Sequence, residues 1–149
     1  MRQFLIMLSI LNVFYCSNMN ENIYQQELNV NKAKWDNSSI ADYQFTFYES
    51  CYCTMYGLHT IVIKNGTVDS VLADTSKHII VPRNMYASYP TIDTFFNTIQ
   101  RAINDKNAEI YMVKYNQEFG YPDTISIDWN PGATDCSEYI TVRNLTLSK

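Results

Sequence analysis

Two cysteines separated by a single residue, in the stretch Glu49-Ser-Cys-Tyr-Cys-Thr-Met55, are the residues of this sequence best suited to chemistry. A Cys-x-Cys pair can close a disulfide, hold a soft metal ion, or cycle between thiol and disulfide. Alternate residues of a strand have Cα atoms about 6.6 to 6.8 Å apart with parallel side chains, at the limit of what a disulfide spans. A direct Cys51 to Cys53 bridge therefore needs a local bend, and Cys136 is an easier partner for either one if the last strand lies beside the first. A structural disulfide drawn from Cys51, Cys53 and Cys136 is the leading expectation, with the pairing open. The alternative is a thiol or metal site made from the same three cysteines and His59, since two thiolates and an imidazole suit Zn(II) or Cu(I).

Other residues that could do chemistry carry weaker signals. The turn Asp128-Trp-Asn-Pro-Gly-Ala-Thr-Asp-Cys-Ser-Glu138, with Asp123 one strand earlier, gathers oxygen donors that could hold Ca²⁺, but not at EF-hand spacing; they read as solvated turn carboxylates. Tyr86, Tyr89 and Tyr121 fall in expected loops near prolines, where exposed tyrosines add contact area at low entropic cost; they mark a candidate binding surface beside a reading in which they fill the ends of a small core. Neither histidine sits in a motif that marks a base, and the chain has no nucleophile elbow, P-loop, zincin or dinucleotide fingerprint. No catalytic residue and no cofactor is expected.

The chain ends say where this chemistry would take place. Arg2, an apolar stretch from Phe4 to Tyr15 and then Cys16 follow the order of a secretory signal, and the run is too short to span a bilayer easily, which takes about 20 apolar residues. Cys16 stands where a bacterial lipoprotein would carry its acylated cysteine. The expected organisation is a signal at 1–15, a polar tether at 16–22, and a single domain at 23–149, exported and held at a membrane of the cell envelope by lipid. A formal net charge of −4 without basic runs argues against nucleic acid, whose binding proteins cluster Lys and Arg. A monomer with an unknown protein or small-molecule partner is the expectation.

The elements that must position these residues follow from periodicity. The segment from Glu21 to Trp35 reads as a short helix anchored by Tyr24, Leu28 and Trp35. In Tyr43-Gln-Phe-Thr-Phe-Tyr-Glu-Ser-Cys-Tyr-Cys53, alternation puts Tyr43, Phe45, Phe47, Cys51 and Cys53 on one face, the buried one. Asn65-Gly66 between two β-rich runs signals a type I′ hairpin pairing Ile63 with Val68 and Ile61 with Ser70, with Ile61, Ile63, Val68 and Leu72 on one face and His59 at its end. From Thr75 to Pro90 an irregular loop is expected, with a short strand at His78 to Val81. Thr91 then caps a helix whose Ile92, Phe95, Phe96, Ile99 and Ile103 form one apolar stripe. Three strands close the chain, with Ile125, Ile127, Trp129, Ile140 and Val142 inward. The fold class is α+β: a two-layer arrangement of about six antiparallel strands in βββ-α-βββ order on one main helix, preceded by the short N-terminal helix.

Trp35, "DYQFTF", "SCYC", "KNGTVDSV", "TIDTFFNTIQRAI", "YNQEFGYPDTISID" and "TDCSEYITVRNL" together resemble the domain-of-unknown-function family 6174, small exported bacterial proteins. The resemblance runs from Trp35 to Leu145. It implies an exported, commonly lipid-anchored α+β domain and carries over no catalytic residues. Cys136 departs from what the family leads one to expect.

Overall fold

The computed structural model describes residues 23–50, 57–73, 79–133 and 136–147. Helix α1 covers 23–37. Strands β1 (Tyr43–Ser50), β2 (Gly57–Lys64), β3 (Thr67–Ala73) and β4 (Ile79–Ile80) follow, then a 3-10 helix (Arg83–Ser88) and helix α2 (Ile92–Asn104). Strands β5 (Glu109–Tyr115), β6 (Pro122–Asp128) and β7 (Ser137–Leu147) complete the chain. All are paired antiparallel in one sheet of order β4-β3-β2-β1-β7-β6-β5, so the α+β class holds.

That order explains the long connection through α2. Each half of the sheet is a meander of sequential neighbours, and the halves join where β1 meets β7. After β4 the chain stands at one edge and must reach β5 at the opposite edge, so it crosses one face of the sheet. The crossing segment is α2, and its stripe is buried through Ile92, Phe95, Phe96, Ile99 and Ala102, with Ile103 only partly buried beside them. Phe95 meets the rings of Phe45 and Phe47 on β1, and Phe96 stacks on Tyr115 of β5. Thr91 caps the helix with a reciprocal box: its hydroxyl accepts from the Thr94 N–H, while the Thr94 hydroxyl accepts from the Thr91 N–H.

Helix α1 lies on the same face. Leu28 and Trp35 enter the core, and the Trp35 ring meets Tyr43 edge-on at 5.4 Å and Tyr121 at 6.2 Å. Gln25 is hydrogen-bonded to Gln100, and Lys32 pairs with Asp93, so the two helices are tied along their polar flanks. Gly120 takes φ +79°, and a Cβ there would come within 2.6 Å of the Asn31 carbonyl oxygen, so the close approach of α1 to this turn requires glycine.

The hairpin turns where expected, with Asn65 at φ 50° and Gly66 at φ 70°, both in the left-handed region a type I′ turn demands. Its register differs beyond the first two pairs. A bulge next to Val62–Ile63 moves Ile61 opposite Val71 instead of Ser70, so Val71 is fully buried and Leu72 is not. One extra residue in β3 exchanges its faces, which a register counted from the turn alone cannot reveal. The expected loop is also more regular than its Pro and Tyr content suggested, because its centre winds into the 3-10 helix.

Candidate functional site

β1 alternates buried and less buried residues, and the alternation does not stop at Phe47. Glu49 has the same parity as Tyr43, Phe45 and Phe47, and it is 8% exposed. A carboxyl group thus continues an aromatic face. Its cross-strand partner on β7 is Ile140, which is buried, and two residues from Ile140 on the same face stands Glu138, half-buried and opposite Ile127 of β6. Diagonal neighbours of this kind are within reach of long side chains, and Glu49 and Glu138 line one cleft together.

Around the pair the helix layer leaves a cleft of ≈ 200 Å³. Glu49 and Glu138 line it from the sheet, Ser88 and Tyr89 from the end of the 3-10 segment, and Thr94 and Thr98 from α2. The Trp129 indole N–H donates to a Glu138 carboxyl oxygen at 2.8 Å, and the Arg101 guanidinium sits over the Trp129 ring at 4.3 Å. His59, opposite Phe47 on β2, is 6% exposed and packs against the rings of Phe47 and Tyr89.

Burial, and after it the charge and hydrogen bond of Glu138, push the Glu49 carboxyl up to about 7. Burial and a neighbouring carboxylate both disfavour the charged form, so Glu49 is the more reluctant of the two to ionise. Burial also raises the Tyr89 phenol, which keeps it a neutral hydrogen-bonding group at the cleft wall. The cleft therefore presents two acidic side chains, one of them with raised proton affinity, two hydroxyls from α2 and an aromatic wall.

The residues singled out in the sequence fall differently. Cys136 is a free, half-buried cysteine whose carbonyl accepts from the Trp129 N–H; Cys16, Cys51 and Cys53 lie outside the described residues. Of the three tyrosines, Tyr121 is a correction: it is 6% exposed, wedged against Trp35, so it offers no binding surface. Tyr86 is partly buried against the core and Tyr89 belongs to the cleft. In the acidic turn Asp128 accepts from the Asn130 N–H and the Ser137 hydroxyl, and Asp123 from the Thr124 hydroxyl; Asp135 is outside the described residues. Among the described residues no three His, Cys, Asp or Glu side chains group as a metal site would need.

Glu49 is the residue that sequence reasoning passed over, although the signal was present. It stands between Phe47 and Cys51 with their parity, and a charge on the inward face of a strand is the kind of local exception that marks a site. Glu138 was read only as a member of a turn, because nothing in its neighbourhood reveals that it faces Glu49.

No curated protein and no solved structure matches the chain. The model of one family, described as a family of unknown function (DUF6174), matches residues 27–147, which takes in α1 from Glu27 onward, the whole sheet and both walls of the cleft. The chain belongs to that family.

Proposed function

We propose that this protein is an exported, lipid-anchored binding domain of the cell envelope, which takes a small cationic group into the cleft above Glu49 and Glu138 and does not catalyse a reaction on it. The observation that carries the reading is a carboxyl group buried on an otherwise apolar sheet face, beside a second one, opening onto a cleft of ≈ 200 Å³. A compact ammonium or guanidinium group entering the cleft would meet both carboxyl groups at once, and the Thr94, Thr98 and Ser88 hydroxyls offer further polar contacts. In this reading Cys16 carries the lipid, 1–15 is removed as a signal, 16–22 is the tether, and the domain works as a monomer facing away from the membrane.

Two measurements test it. The full chain in mild detergent, titrated by calorimetry with arginine and with 1,4-diaminobutane, should give saturable binding that 1,4-butanediol does not reproduce and that Glu49→Gln weakens at least about tenfold. Equal behaviour of the diamine and the diol would overturn the ligand class. For the anchor, the mass of the mature chain should include fatty acyl groups, and Cys16→Ala should lose them and leave the detergent phase.

A further inference from the structure

We infer that the open face of the sheet carries a second binding site, a groove over Thr141 that takes a saccharide bearing a carboxylate, with Arg143 as the partner of that carboxylate. The groove lies across the sheet from the Glu49 cleft and does not depend on what enters the cleft.

Alternation builds this groove as it builds the core. Thr46 and Tyr48 of β1 have the parity opposite to Phe45 and Phe47, so they face away from α1 and α2. Thr46 stands opposite Arg143 of β7 and Tyr48 opposite Thr141, while Leu58 of β2 flanks Tyr48 on its other side. Tyr139, two residues before Thr141, belongs to the same face. These six residues line a hollow of ≈ 270 Å³, near the lower end of the range for small-ligand pockets. Thr141 is its floor: it is 7% exposed although both helices pack on the other face, because larger side chains surround it. Just past Arg143, Asn144 takes φ 53° where the β1–β7 register shifts, an irregularity of the kind that re-aims side chains beside sites.

The lining holds a single charge, and it is positive in a chain whose net charge is −4. Arg143 is exposed, and the ion pairs among the described residues are made by Lys32 and Lys64 and not by Arg143. A planar guanidinium favours a carboxylate, which it can hold through two parallel hydrogen bonds. Around it the Thr46 and Thr141 hydroxyls and the Tyr48 and Tyr139 phenols donate and accept, and the tyrosine rings with Leu58 add apolar surface. A pyranose ring matches that mixture, with hydroxyls at its rim and an apolar C–H face. An extended peptide would add to an unpaired strand edge, but β2, β1 and β7 are interior strands paired on both sides. Nucleic acid calls for several cations along its backbone, and the groove has one.

The test is an NMR chemical-shift titration of the full chain in a mild detergent without a sugar headgroup, using methyl glucuronide, methyl glucoside and an acetylated aspartyl dipeptide as probes. The glucuronide should give saturable shifts at the groove residues of β1 and β7 and bind about tenfold more tightly than the glucoside, as a charge-assisted contact implies. Arg143→Gln should reduce the glucuronide to the level of the glucoside, and because Arg143 is exposed the variant should keep the native melting temperature. Glu49→Gln, on the opposite face, should leave glucuronide binding unchanged. Equal binding of glucuronide and glucoside, unchanged binding in Arg143→Gln, or no saturable shift at the groove overturns the site. A dipeptide that binds as tightly as the glucuronide overturns the saccharide, and loss of binding in Glu49→Gln overturns the separation of the two sites.

Discussion

The Glu49 proton couples the site to the stability of the whole domain. An ordinary glutamate in the unfolded chain titrates at about 4.3, whereas the folded environment pushes Glu49 up to about 7. Between those values the folded state binds more protons than the unfolded state, so stability falls as pH rises through that window and levels off above it. We expect the melting temperature to be several degrees higher at pH 5 than at pH 8, and Glu49→Gln to flatten most of that slope, as read by thermal melts monitored by circular dichroism. A slope of the opposite sign would mean that other carboxylates, stabilised in the folded state, dominate. The position of this residue was legible from alternation along β1, and its chemistry was not. The raised proton affinity comes first from burial and then from Glu138, brought alongside by a strand pairing that spans most of the chain.

The elements were readable where local signals are strong. The Thr91 cap, the apolar stripe of α2 and the Asn65-Gly66 turn depend on neighbours within a few residues, and all three are present as expected. The bulge in β3 was hidden because it depends on which residue of the hairpin best fills the core, and Val71 fills it. Two glycines give an element-scale prediction because their environments differ. Gly66→Ala meets nothing within 4 Å and suffers only the left-handed backbone, about 1 to 2 kcal/mol. Gly120→Ala carries the same backbone cost and also drives a Cβ to 2.6 Å from the Asn31 carbonyl, so it should be clearly the more destabilising of the two in urea unfolding. Phe95→Ala, which removes the ring shared by Phe45 and Phe47, should cost about 3 to 5 kcal/mol by the same measurement.

At the scale of the whole molecule, the sheet is two meanders held together by one pairing, β1 with β7, between the first and last strands of the chain. Which strands would be neighbours there was not legible, because nothing local to either strand encodes a partner so distant in sequence. The described register of this junction ends with Ser50 opposite Tyr139, three residues from Cys136, which is a free cysteine here. A link from Cys136 to Cys51 or Cys53 would close a loop of about 80 residues and stabilise by about 4.5 kcal/mol in the chain-entropy account, because it would tie the first strand to the last. Peptide mapping of the chain, exported into an oxidising compartment and alkylated, decides the pairing: a Cys136 link should be accompanied by a melting temperature that falls on reduction, whereas a Cys51 to Cys53 link, which closes almost no loop, should leave the melting temperature nearly unchanged. Three alkylated thiols would leave the junction held by hydrogen bonds and packing alone.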